Sequence, residues 1–110
     1  MKLPNAERAV VAIKKLRDYC LSTSHPRGKH KAMVFASVLG IIANEAEILR
    51  DHILSATLYN EAILREQDEY GQRYIMDFEM ENRGRKAMIR TSWIIRTSED
   101  FPRLTSCYVL

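Results

Sequence analysis

The apolar residues of this chain change their period once, near Tyr70, and that change limits the folds open to it. Before it they recur at helical spacing. After it, Tyr74, Met76, Phe78 and Met80 alternate with Arg73, Asp77 and Glu79, the two-residue period of a strand with one buried face. A pattern of one period cannot bury a single face in the other conformation. The chain is therefore read as α+β, with N-terminal helices packed on one face of a C-terminal antiparallel sheet of three or more strands. Its 110 residues suffice for one modest core. Residues 1–110 are read as a single domain, mainly helical over 1–60 and mainly strand over 70–110.

In the helical half, Ala9, Ile13, Leu16 and Cys20 share a helical face. Ala9-Val10-Val11 reads equally well as a short strand leading into a helix from about Ala12. Either way, His25-Pro26-Arg27-Gly28 ends the helix by Ser24. A second helix is expected from Lys29 or His30 to Leu39, with Met33, Val34, Phe35 and Val38 mostly interior and Gly40 as its cap. A third starts after Asn44, where Asn44 and Glu47 have capping-box spacing. It buries Ala46, Leu49, Ile53 and Ala56 and fades near Tyr59-Asn60. Glu61 to Glu69 reads as an acidic connection whose form the pattern leaves open. In the strand half, Asn82-Arg83-Gly84 is a turn, and Ala87, Ile89, Thr91, Trp93 and Ile95 resume the alternation. Ser98 to Pro102 connects to a last strand, Leu104 to Val109. Trp93 is expected to pack against the helices.

Charge is unevenly spread along the chain. Residues 1–40 carry eight Lys/Arg against two Asp/Glu, residues 41–82 three against ten, and residues 83–110 six against two, for a net charge of +3. Basic ends brought together would make a positive surface suited to a polyanion such as nucleic acid. No apolar run approaches the about 20 residues of a membrane span, so no membrane partner is expected. Pro4, Glu7 and Arg8 fall where a secretory signal carries its apolar stretch, and a cytoplasmic location is expected. Cys20 and Cys107, without a Cys-x-x-Cys pair, suit a reducing compartment and give no structural zinc site.

Gly-rich phosphate loops, Gly-x-Ser-x-Gly and His-Glu-x-x-His are all absent, so neither a cofactor nor a metal is expected. The most suggestive segment is Arg27-Gly28-Lys29-His30-Lys31. Three cations at a helix start oppose the helix dipole, but there they can hold phosphate oxygens. His30 has a side chain whose ordinary titration lies near neutral pH. Alternation in the strand half sends Arg90, Ser92 and Arg96 to the face opposite Ile89 and Trp93, and Ser106 and Tyr108 join Arg90 there. An open face with Arg, Ser and Tyr beside a His-containing basic loop has the inventory for metal-free RNA cleavage.

Four stretches together carry a resemblance. They are Leu3 to Val11, His25 to Ala32 with Val34-Phe35, Asp68 to Tyr74, and Pro102 to Val109. The chain resembles a bacterial domain family of unknown function that occurs as small standalone proteins and as the C-terminal module of polymorphic toxins and phage-head-like proteins. Its layout is similar to that of toxins of the barnase, EndoU, colicin and RelE type, which are metal-independent ribonucleases. The resemblance implies a toxin-like endoribonuclease that leaves a 2′,3′-cyclic phosphate and forms one member of a toxin–antitoxin pair. It implies catalytic roles for His30, Arg90, Ser106 and Tyr108, and substrate binding by Arg27, Lys29 and Lys31. RNA and a small cognate antitoxin or neighbouring-gene protein are the implied partners, and a homo-oligomer is compatible with the sequence. Ala12 stands where the pattern leads one to expect Asp.

Two other classes compete. A helix-turn-helix repressor is disfavoured because its recognition helix would carry Glu45, Glu47 and Asp51 against DNA phosphates. A non-catalytic interaction module, an antitoxin or other partner-binding protein, would use the acidic middle or the basic ends as its docking charge.

Overall fold

The hairpin announced by the period change is the centre of the molecule. In the computed structural model, which describes residues 1–110, four strands form one antiparallel sheet in sequence order. These are β1 (Ala62–Asp68), β2 (Gly71–Asn82), β3 (Arg85–Arg96) and β4 (Arg103–Val109). The β2–β3 ladder runs unbroken from Gly71↔Arg96 to Asn82↔Arg85. Its two turn residues, Arg83 and Gly84, both have positive φ, 53° and 80°, which matches the twist of a tight hairpin. Tyr74, Met76, Phe78 and Met80 are buried, as are Ile89, Thr91 and Trp93. Trp93, 1% exposed, donates its indole N–H to Thr91 Oγ1 at 2.7 Å, and Thr91 donates to the Met76 carbonyl at 2.6 Å. A satisfied polar chain of this kind removes the desolvation penalty of burying an indole N–H and a hydroxyl.

The helices cover one face of the sheet. Helix α1 comprises Ile13–Lys15 and a π turn, Leu16–Cys20; α2 comprises Lys29–Val34 and a π turn, Phe35–Leu39; α3 is Ala46–Thr57. No single helix is long and apolar enough to cross a membrane. Leu16, Phe35, Leu39, Leu49 and Ile53 meet Met76, Ile89 and Trp93 in one core. Of the two readings of Ala9 to Val11, the extended one holds. Val10 bridges to Arg103 in parallel, donating to the Pro102 carbonyl and accepting from Leu104 N–H, both at 2.9 Å. The N-terminal segment thus covers the start of β4, which begins at Arg103, one residue earlier than expected.

Three expectations are corrected. First, Glu61 to Glu69 is not a connection, since Ala62–Asp68 pairs with β2 as an edge strand. Only Ala62 of β1 is buried, so no alternating pattern marks it. Second, Phe35 is buried as expected, but Met33, Val34 and Val38 are exposed, and α2 buries Ala32 and Leu39 in their place. That stretch is apolar on nearly every side, so it lacks the contrast that identifies a buried face. Third, the cap at α3 lies earlier. A 3-10 turn, Ala43–Glu45, precedes the helix, and Glu45 rather than Glu47 reaches back to the Ile42 N–H at 3.4 Å. Gly40 does close α2, at φ 68°. The hairpin tip completes that cap. Asn82 Nδ2 donates to the Leu39 carbonyl at 2.7 Å and Arg83 to the Gly40 carbonyl at 2.9 Å, satisfying acceptors the helix leaves open.

Candidate functional site

Pairing across β2, β3 and β4 assembles the open-face residues in one row. Arg90 lies opposite Asp77 on one side and Tyr108 on the other, and Ser92 lies opposite Ser106. Arg90 donates from Nε and Nη2 to the two carboxylate oxygens of Asp77, both at 2.9 Å. This bidentate hydrogen bond, then the Asp77 charge, raises the guanidinium's affinity for its proton, and the Tyr108 hydroxyl adds a smaller push in the same direction. From the helical side, Lys31 places its ammonium 4.5 Å from the centre of the Tyr108 ring, a cation–π contact. Lys31, Tyr108 and Arg90 therefore form a continuous group, with Ser106 on the same face of β4.

His30 is exposed on the first turn of α2, next in sequence to Lys31. No side-chain hydrogen bond ties it to Arg90, Ser106 or Tyr108. Arg27, Lys29 and Lys31 have different surroundings. Lys31 packs on Tyr108, Lys29 is exposed on α2, and Arg27 lines a cleft on the helical side. No group of three His, Cys, Asp or Glu side chains lies close enough to share a metal ion.

The pairing of Arg90 with Asp77 is one of three similar cases, and sequence reasoning missed all of them. Register places Arg73 and Arg103 on either side of Ile94 on the same open face. Arg73 bonds Asp68 at 3.3 Å, and Arg103 holds both oxygens of Glu99 at 2.8 Å. Hydrogen bonds from the Tyr70 N–H, with the Arg73 charge, hold Asp68 below the usual carboxylate range, and Arg103 does the same to Glu99. The alternating charges of β2 and β3 were the available signal for one of these, because Asp77 and Arg90 are equidistant from the turn.

The cleft lined by Arg27 is an open trough of about 700 Å³, bounded also by Ala12, Lys14, Lys15, Asp18, Tyr19, His25 and Thr105. His25 builds one wall. Its Nδ1 accepts the N–H groups of Arg27 and Gly28 at 3.1 and 3.2 Å, and its ring stands edge-on to Tyr19 at 4.7 Å. Gly28 allows that fold, since a Cβ there would lie 2.6 Å from the Tyr19 carbonyl oxygen. His25 thus acts as a loop anchor.

Fold and site together define a small α+β domain, with helices on one face of an antiparallel sheet and a polar row along its last strand. Residues 2–110 match the domain of unknown function DUF6883, and the chain belongs to that family. No curated protein matches it. Among solved structures, its fold is similar to that of a chain in the contact-dependent growth inhibition toxin–immunity protein complex from Klebsiella pneumoniae 342. The two share 16% identity at a TM-score of 0.71, over 92% of this chain and 99% of that one.

Proposed function

We propose that the protein is a toxin-like, metal-independent endoribonuclease that is neutralised by a small partner protein. The observation that carries this reading is the meeting of Lys31, Tyr108 and Arg90 on β4, where an α2 cation, a phenol and a guanidinium converge from three elements. The likeness to a chain of a toxin–immunity complex supports a toxin or immunity role and a partner protein. The chemistry is suggested by the resemblance of the sequence to barnase-, EndoU-, colicin- and RelE-type toxins.

In the proposed reaction the ribose 2′-oxygen attacks the adjacent phosphorus and the bond from phosphorus to the 5′-oxygen breaks. The 2′-proton passes to a base, and the leaving 5′-oxygen takes a proton from an acid. The products are a 2′,3′-cyclic phosphate and a 5′-hydroxyl. His30 is assigned the proton transfer, because an imidazole side chain can serve as either base or acid. Lys31 and Arg90 offset charge on the phosphorane, with Arg27 and Lys29 holding flanking phosphates. Ser106 or Tyr108 orients the 2′-hydroxyl or the scissile phosphate. Asp77 competes with phosphate for Arg90 and keeps its planar fork pointing across the strand. Incubation with total RNA in EDTA tests the reading. Fragments ending in cyclic phosphate, lost in His30→Ala, are expected. Intact RNA across pH and substrates overturns it.

One observation favours the rival reading of a non-catalytic interaction module. No strand lies beyond the β1 edge, where the Ala62 N–H donates to the Met1 carbonyl, and Ile63 and Leu64 on it are each 56% exposed, which suits addition of a partner's strand. Tight binding of a neighbouring-gene protein without RNA cleavage would select that reading.

A further inference from the structure

We infer that the trough between α1 and the His25–Gly28 loop is a separate anion subsite, which takes the phosphodiester backbone of an RNA strand as it leaves β4. The inference rests on the ribonuclease reading only for the identity of the strand. Charge is the first argument. Lys14, Lys15 and Arg27 converge on the trough, and none has a carboxylate at ion-pair distance, whereas Asp18, its one carboxylate, is already held by Arg17 at 2.9 Å. Unpaired cations gathered in one concavity raise the local concentration of anions.

Shape and continuity give the second argument. The trough is open to solvent rather than enclosed, which suits a chain lying across it better than an enclosed small molecule. Its far wall is Thr105, the extra residue where the β3–β4 register shifts. Thr105 lies three residues from Tyr108, roughly 10 Å along the strand. One extended strand can therefore occupy the trough and reach the Lys31–Tyr108–Arg90 group. The third argument is the aromatic wall. Tyr19 and His25 hold each other edge-on and offer a surface on which a base can stack. Because Nδ1 of His25 accepts two backbone N–H groups, the neutral ring carries its proton on Nε2, leaving that N–H as its remaining donor.

The test is binding of a fluorescein-labelled 2′-O-methyl RNA 12-mer to the full chain, followed by anisotropy from 50 to 200 mM salt. The probe lacks the attacking hydroxyl, so binding is read whether or not the protein cleaves. Lys14→Ala/Lys15→Ala/Arg27→Ala should shrink the slope of log affinity against log salt by about 2, three single-strand contacts at about 0.7 each. The wild type's advantage over it should then fall roughly 16-fold across that range. Lys14→Arg/Lys15→Arg should keep the wild-type slope, and Lys14→Glu/Lys15→Glu should bind more weakly than the alanine variant. All three positions are exposed, so unchanged melting curves are expected. Equal slopes in wild type and triple variant, or no binding by wild type, overturn the subsite. Cleavage of total RNA with and without His30→Ala judges the ribonuclease reading separately.

Discussion

Two groups of cations beside β4 are in opposite states. On the sheet's open face, Arg73, Arg90 and Arg103 each have a carboxylate partner, in Asp68, Asp77 and Glu99. On the helical side, Lys14, Lys15 and Arg27 have none. The charge along the sequence is basic at both ends, yet these three arginines are each held by a carboxylate and the three cations of the trough are not. Available charge is set by what is left after pairing, and segment totals do not reveal it. Lys31 bridges the two sides by reaching over Tyr108 to the neutralised row.

The largest expected effect tests whether chemistry happens at that bridge. His30→Ala should lower RNA cleavage by about 10² to 10⁴, measured as single-turnover release of cyclic-phosphate ends, with an unchanged melting temperature because His30 is exposed. A loss of tenfold or less would move the proton transfer elsewhere.

Next in size is the loop that shapes the unpaired side. Gly28→Ala should destabilise the fold by about 1–3 kcal/mol, the usual cost of forcing extra atoms into a filled space, because the new Cβ would meet the Tyr19 carbonyl. Urea unfolding measures it. A neutral result would mean that the His25 loop is free to shift and that the trough is not a fixed feature.

A smaller effect comes from converting a paired cation into an unpaired one. Asp77→Asn removes the charge that holds Arg90. Its salt slope for 2′-O-methyl RNA should steepen by about 0.7 as one more phosphate contact becomes available. An unchanged slope would show that RNA does not reach the open face.

The smallest effect is the pH dependence of stability. Asp68, Glu99 and Asp100 are held below the ordinary carboxylate range, Asp68 by backbone N–H groups and Arg73, Glu99 by Arg103, and Asp100 by Arg8. Their folded values lie below their unfolded ones, so their stabilisation is fully present above about pH 4. It is lost as pH falls through the folded values. Melting temperature should be flat from pH 7 to 5 and decline gently below about 4, with exposed pairs contributing little each. Asp68→Asn/Glu99→Gln should flatten that decline, and an equally steep decline in the variant would assign it to other carboxylates.

How legible each part was follows from what each part buries. The β2–β3 hairpin could be read almost residue for residue, because one face is buried along most of its length and a slip of one residue would expose Met76, Phe78, Ile89 and Trp93 together. The α3 stripe was legible for the same reason. β1 was not, because an edge strand that buries only Ala62 carries no alternation. The face of α2 was not either, because its apolar residues surround the helix. Of the site, register gave the shared face of Arg90, Ser106 and Tyr108. The role of His25 as anchor was hidden, since its partners are backbone N–H groups with no sequence signature.

Read alone, the residues settle the α+β class, the β2–β3 hairpin with its turn, and the face on which that hairpin's alternating apolar residues lie. Those are consequences of period, which is local and which burial enforces. The tertiary structure alone decided which cations are neutralised, how the N-terminal segment bridges to β4, and that Lys31 meets Tyr108. These depend on elements far apart in the chain arriving within a few ångströms of each other. Charge pairing acts over that short range, and no local pattern of residues encodes it.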